Sequence, residues 1–75
     1  NFTADQMAQI RFGLKDNLNV SFYANNKYDL YQMNQIRKGL EANLDVSLYA
    51  NPDLSWREMS QIKKEMRKMK NEQNI

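Results

Sequence analysis

The chain has 75 residues, a net charge of +2, and neither cysteine nor histidine. A chain this short forms one domain at most and buries a thin core that is marginal unless its packing is regular. Without cysteine there are no disulfides or thiolate metal sites, and without histidine the commonest general base and metal ligand are missing too.

No apolar run is long enough to cross a membrane or to form a signal-peptide core. The lack of cysteine fits a reducing compartment, so a cytoplasmic location is expected. The chain opens at Asn1 rather than Met, which points to a piece excised from, or belonging to, a longer protein. Charge is uneven. Residues 1–54 carry five cations against six acids, and residues 55–75 carry six cations against three acids. The last predicted helix is therefore the basic part.

Along the chain, a shift of 26 residues aligns Gln6-Met7-Ala8-Gln9-Ile10-Arg11 with Gln32-Met33-Asn34-Gln35-Ile36-Arg37, and a second shift reaches Glu58-Met59-Ser60-Gln61-Ile62-Lys63. Self-similarity at a fixed period is the mark of a repeat architecture. The predicted units are about 2–27, 28–53 and 54–75, all within one helical domain covering 1–75.

Each unit opens with a helix-start signal. Thr3, Asp29 and Ser55 are good N-caps. Gln6, Gln32 and Glu58 follow three residues later and complete a capping box. Phe2, Tyr28 and Leu54 precede the caps, and Met7, Met33 and Met59 follow them at the spacing of a hydrophobic staple. Within the helices the apolar residues recur at three and four: Met7, Ile10, Leu14; Met33, Ile36, Leu40; Met59, Ile62, Met66, Met69. That is one amphipathic face, which predicts every methionine in the core.

The first two helices are expected to stop near Asn17 and Asn43, since Asn tolerates a left-handed backbone. The third has Met69 at that position and should run on. After each stop, Asn19 or Asp45 can cap a short helix over about 20–24 or 46–50. Pro52 disfavours helix at Asn51, so the chain turns there. Gly13 and Gly39 lie inside helices, where glycine costs about 1 kcal/mol relative to alanine. Close approach of the short helix explains their use, and the third unit, with no short helix, has Glu65 instead.

The segments Gln32-Met33, Ile36-Arg37, Gly39-Leu40 and 44–50 (Leu-Asp-Val-Ser-Leu-Tyr-Ala) resemble a tandem helical repeat of large multidomain proteins of gut Firmicutes and their mobile elements. The first unit matches with Asn19 in place of the acid, and the third departs after Lys63. The resemblance implies an all-helical array in a bacterial intracellular protein. It brings no established activity, so no functional residue is carried over.

Catalytic and cofactor chemistry find little support. Ser21 and Ser47 recur without a nearby base and are expected to bond local backbone. The aspartates lie one per cap or turn rather than as a converging pair. There is no glycine-rich phosphate loop and no calcium-loop spacing. No catalytic, cofactor-binding or metal site is assigned.

Three features remain as binding candidates. Phe12, whose equivalents are Lys38 and Lys64, is either an edge contact to a preceding unit or a binding residue, and the edge is favoured. Tyr31, equivalent to Asp5 and Arg57, raises the same choice. The helix beginning at Trp56 and Arg57 carries Lys63, Lys64, Arg67, Lys68 and Lys70. It can grip phosphates, an anionic surface or an acidic partner, or simply be a solvated end whose cations suit the helix macrodipole. Finally, Gln9/Gln35/Gln61 and Arg11/Arg37/Lys63 recur at fixed places. They either form a ladder for an extended ligand or bridge neighbouring units, and bridging is favoured.

The expected protein is all-α, with three long and two short helices in a small right-handed array or bundle. Its expected role is a non-catalytic interaction or spacer module for a protein partner. Nucleic-acid or anionic-surface binding through the basic last helix is the alternative, and truncated array ends allow oligomers.

Overall fold

Three side chains start the three α-helices. The structure, a computed structural model, describes residues 2–73. The Thr3 hydroxyl accepts from the Gln6 N–H at 3.1 Å, and the Gln6 side chain accepts from the Thr3 N–H at 2.8 Å. Asp29 with Gln32, and Ser55 with Glu58, make the same reciprocal pair of bonds at 2.8 to 3.1 Å. Each box satisfies two otherwise unpaired amides of a first turn. The helices are α1 (Ala4–Lys15), α2 (Leu30–Glu41) and α3 (Trp56–Gln73).

Asn17 and Asn43 end α1 and α2 in the left-handed region, both at φ 59°. The Leu18 N–H then reaches back to the Gly13 carbonyl at 2.9 Å, and the Asn17 N–H to Leu14 at 3.1 Å. Leu44 and Asn43 do the same toward Gly39 and Leu40, at 2.9 and 3.0 Å. These paired bonds satisfy helix-end carbonyls, and they require the positive φ that Asn accepts at small cost.

The expected short helices are shorter than a helix over 20–24 or 46–50. They are single 3₁₀ turns, Val20–Phe22 and Val46–Leu48. Asn19 and Asp45 open them by accepting from the Ser21 and Ser47 amides. The hydroxyls of Ser21 and Ser47 bond the same two cap side chains rather than backbone. Tyr23 and Tyr49 then leave helical geometry at φ −133° and −134°. That turn carries each ring under the preceding helix. The Tyr23 hydroxyl donates to the Gln9 carbonyl at 2.6 Å, and the Tyr49 hydroxyl to the Gln35 carbonyl at 2.7 Å.

This docking explains the helical glycines. A Cβ on Gly13 would collide with the Tyr23 hydroxyl and lie 2.6 Å from Val20 Cγ1. One on Gly39 would collide with the Tyr49 hydroxyl and lie 2.7 Å from Val46 Cγ1.

The core is the cluster of Tyr23, Tyr28, Met33, Ile36, Val46, Tyr49 and Met59. The central helix α2 packs against both α1 and α3, whereas α1 and α3 make no comparable contact with each other. The smallest dimension of the molecule, 15 Å, is little more than one helix with its side chains. The helices thus lie side by side in sequence order, and α2 alone has neighbours on two sides.

That arrangement corrects the methionine expectation. Met33 and Met59 are fully buried, but Met7 is 48% exposed and Met69 is also exposed. Met7 occupies the stripe that on α2 and α3 is covered by the preceding helix, and α1 has no preceding helix among the described residues. Among those residues no helix is long and apolar enough to cross a membrane.

Candidate interaction surface

Polar side chains cross both helix seams at an offset of 28 residues. The Arg37 Nε donates to the Gln9 side-chain oxygen at 2.8 Å, and the Lys63 Nζ donates to that of Gln35 at 2.7 Å. The cap glutamines add a second rung. Gln6 donates from Nε2 to the Tyr28 carbonyl at 2.7 Å, and Gln32 to the Pro52 and Leu54 carbonyls at 2.9 and 2.6 Å. The glutamine–cation pairs therefore tie adjacent helices together instead of standing free for an extended ligand. Gln9 and Gln32 are buried, so each of these bonds replaces hydration that the side chain has lost.

The two seams differ in charge. Across the first, Arg37 also pairs with Glu41 at 3.0 Å and lies over the Phe12 ring, 5.6 Å from its centroid. Phe12 thus faces α2 and the outer surface, not a preceding edge. Across the second, Arg67 stands at the position equivalent to Glu41 and Lys38 at that of Phe12. Burial lowers the Lys63 pKa, and the neighbouring Lys38, Arg67 and Lys64 lower it further. Lys63 was expected both on the exposed basic face and among the residues that bridge neighbouring units, and the structure corrects only the first. It is 9% exposed and held in the seam.

The remaining basic-helix residues divide. Lys70 donates to the Ala42 carbonyl at 3.0 Å, across to the C-terminal cap of α2, where a cation meets the negative end of that helix. Lys64, Arg67 and Lys68 line one shallow exposed surface with Asn71 and Glu72. Arg57 lies over the Trp56 ring, 5.4 Å from its centroid, and Trp56 meets Tyr31 with ring centres 6.3 Å apart, tilted by 40°. Tyr31 and Trp56, with Leu30, Asn34, Gln9 and Gln35, line a groove above the two seams.

At about 100° per residue, Arg57, Lys64, Arg67 and Lys68 fall on one outward stripe of α3. Glu58, Glu65 and Glu72 recur every seven residues on the flank away from α2. Three aromatics without core roles, Phe12, Tyr31 and Trp56, are 50, 62 and 40% exposed on the outer face that carries the cations. The sequence reading missed this grouping of Phe12, Tyr31 and Lys38 with the basic helix. The available signal was that Phe12 and Tyr31 break the internal alignment at outward positions.

Among the described residues no three His, Cys, Asp or Glu side chains come together to hold a metal ion. The Ser47 hydroxyl meets the Asp45 carboxylate, but Asn19 holds Ser21 in the same way, and an amide cannot act as a base. The geometry is that of a turn cap. No protein-family profile, curated protein or solved structure matches the chain.

Proposed function

We propose that the chain is a non-catalytic interaction module of tandem 26-residue helical units, part of a larger protein, and that its outer face binds an acidic segment of another protein. The observation that carries this reading is that exposed Tyr31 and Trp56 pack together with Arg57 over the Trp56 ring, while exposed Phe12 lies against Arg37 and Lys64, Arg67 and Lys68 line a further exposed surface of the same last helix. Aromatic rings and Arg are the side chains that anchor binding surfaces, because they bury much area with few rotamers.

Residues 26 apart agree where they cross seams and differ on this face: Asp5/Tyr31/Arg57, Phe12/Lys38/Lys64 and Ala4/Leu30/Trp56. Freedom to vary is what a ligand-facing surface on a repeated scaffold needs. The net charge of only +2, with Glu41 and Glu72 beside the cations, fits a protein partner better than a polyphosphate. Nucleic acid is the second reading, favoured by the alternation of rings and cations, which suits stacked bases and their phosphates.

Trp56 is the sole tryptophan and reports occupancy of the groove by its fluorescence. Titration with a Glu/Asp-rich peptide is expected to shift its emission, and Lys64→Glu with Arg67→Glu to weaken binding at least tenfold. Single-stranded DNA binding tightly, with a steep loss as salt rises, while the peptide does not bind, would transfer the assignment to the second reading. If neither ligand binds at low salt, both readings fall.

A further inference from the structure

Met7, Arg11 and Leu14 lie at i, i+4 and i+7, on one stripe of α1. Their equivalents Met33, Arg37 and Leu40 on α2, and Met59, Lys63 and Met66 on α3, form the stripe that packs on the preceding helix, with Arg37 and Lys63 bonded across it. On α1 the same stripe is open. Met7 and Leu14 are exposed, and Arg11 has no side-chain partner among the described residues.

The opposite face of the molecule is not its complement. A helix grips the next one through two glutamines and leaves room for a tyrosine beside a glycine: Gln6, Gln9 and Gly13 on α1, Gln32, Gln35 and Gly39 on α2. On α3 these positions are Glu58, Gln61 and Glu65. The Glu58 carboxylate has no N–H to give to a following backbone carbonyl and would repel it. Glu65 fills the space a tyrosine hydroxyl needs.

We infer that the array is directional: the α1 face is a docking surface for one more helical unit of this same kind placed before it, and the α3 face is closed to such a unit. The occupant is defined by chemistry. It presents two glutamine carboxamides and a glycine at the spacing of Gln32, Gln35 and Gly39, with one carboxamide donating to the Phe2 carbonyl and the other accepting from Arg11. A second copy of the chain does not qualify: its α3 face is acidic, and its α1 face offers the same Met7, Arg11 and Leu14 stripe instead of the complementary glutamines and glycine.

The inference rests on the tandem-unit reading, and one experiment separates the two. Residues 28–53 are placed directly before Phe2, which keeps the 26-residue period. The extended chain is expected to unfold in one transition, with a urea m-value about a third larger, in line with its added length. Backbone amides of α1 should exchange at least tenfold more slowly than in the 75-residue chain. Arg11→Ala should lower the midpoint of the extended chain and leave the original unchanged. An added segment that is helical but unfolds on its own, with α1 exchange unaltered, overturns the docking inference alone. An added segment that stays unstructured overturns the unit reading with it. Self-association of the original chain that is abolished by Arg11→Glu would show the face taken by a second copy and overturn the assigned occupant.

Discussion

Replacing Gly39 by alanine sets two physical effects against each other. On helix propensity alone, alanine inside α2 stabilises by about 1 kcal/mol, because glycine loses more backbone freedom on folding. Against this, the new methyl would occupy the space of the Tyr49 hydroxyl and lie 2.7 Å from Val46 Cγ1. Tyr49 is fully buried, so its ring has no open side to retreat to without moving core neighbours. Forcing an extra methyl into a packed site costs typically 1–3 kcal/mol. Displacing the hydroxyl from the Gln35 carbonyl removes a bond worth about 1 kcal/mol. The balance is a net loss of about 1–3 kcal/mol. At roughly 4–8 °C per kcal/mol for a domain of this size, Tm should fall by about 10 °C. Thermal and urea unfolding followed by circular dichroism measure it. The Gly39→Ala, Tyr49→Phe double variant should lose less than the sum of the singles, because removing the hydroxyl relieves the clash. At the equivalent position on α3, where no tyrosine docks, Glu65→Ala should stay within about 0.5 kcal/mol. A Gly39→Ala protein as stable as the parent, or more so, would refute the docking account of both glycines.

Gln35→Glu is expected to stabilise. A carboxylate in place of the amide turns the bond from Lys63 into a charge-assisted one and offsets the cations around it, so Tm should rise by several degrees at low salt and by less in high salt. A lower Tm would mean that dehydrating the carboxylate outweighs the attraction. Asn43→Ala should cost about 1–2 kcal/mol because of the φ of 59°, while Asn43→Gly should be neutral or better, as chemical denaturation will show. Alkaline titration should show an edge. Burial pushes the Tyr49 phenol up to about 12 from the ordinary 10, and raises Tyr23 and Tyr28 as well. The folded chain then holds these protons longer than the unfolded one, so their contribution is intact below pH 10 and is lost as pH rises toward 12. Lys63, with its pKa lowered, has the opposite sign and lets stability rise slightly as the ordinary lysine range is approached from below. In a Tyr31→Phe variant, which removes the exposed phenol, phenolate absorbance and helical dichroism should change together above pH 10; phenolates forming in that variant while it stays folded would count against buried phenols.

The local architecture was legible because it rests on short-range chemistry. The caps at Thr3, Asp29 and Ser55, the left-handed Asn17 and Asn43 and the space beside Gly13 and Gly39 each need only residues within one short stretch. The bridging of neighbouring helices by Gln9 and Arg37 followed from their fixed places in the alignment. Solvent exposure at the ends was not legible. Periodicity shows that Met7 and Met69 share a face with Met33 and Met59, but whether another helix covers that face is a property of neighbours. Lys63, expected both as a bridging residue and on the exposed face, was misplaced only in the second respect, for a related reason. It sits at the margin of the α3 apolar stripe, and only the carboxamide of Gln35, 28 residues earlier, makes its burial tolerable. The outer face was seen in parts. Trp56 and Arg57 stood out from the basic helix, but their link to Tyr31, and that of Phe12 to Arg37, depends on adjacent helices lying side by side.

The seams and the outer face obey different constraints. A seam position must satisfy its own helix and a neighbour 26 to 28 residues away, so Gln, Met, Ile and a cation recur there. An outer position answers to solvent alone, so Asp5, Tyr31 and Arg57 can occupy one place with three chemistries. Exposed aromatics are poorly hydrated in such places, and nothing in the seams requires them. Tyr31 and Trp56 meet over the second seam, which is also the one where Arg67 replaces the acid that balances the first. Gln35 sits beneath both, accepting from Lys63 and bordering the Tyr31–Trp56 groove. Occupation of the groove by an acidic segment would therefore also relieve the repulsion among Lys38, Lys63, Lys64 and Arg67, so binding and the stability of the second seam should rise together.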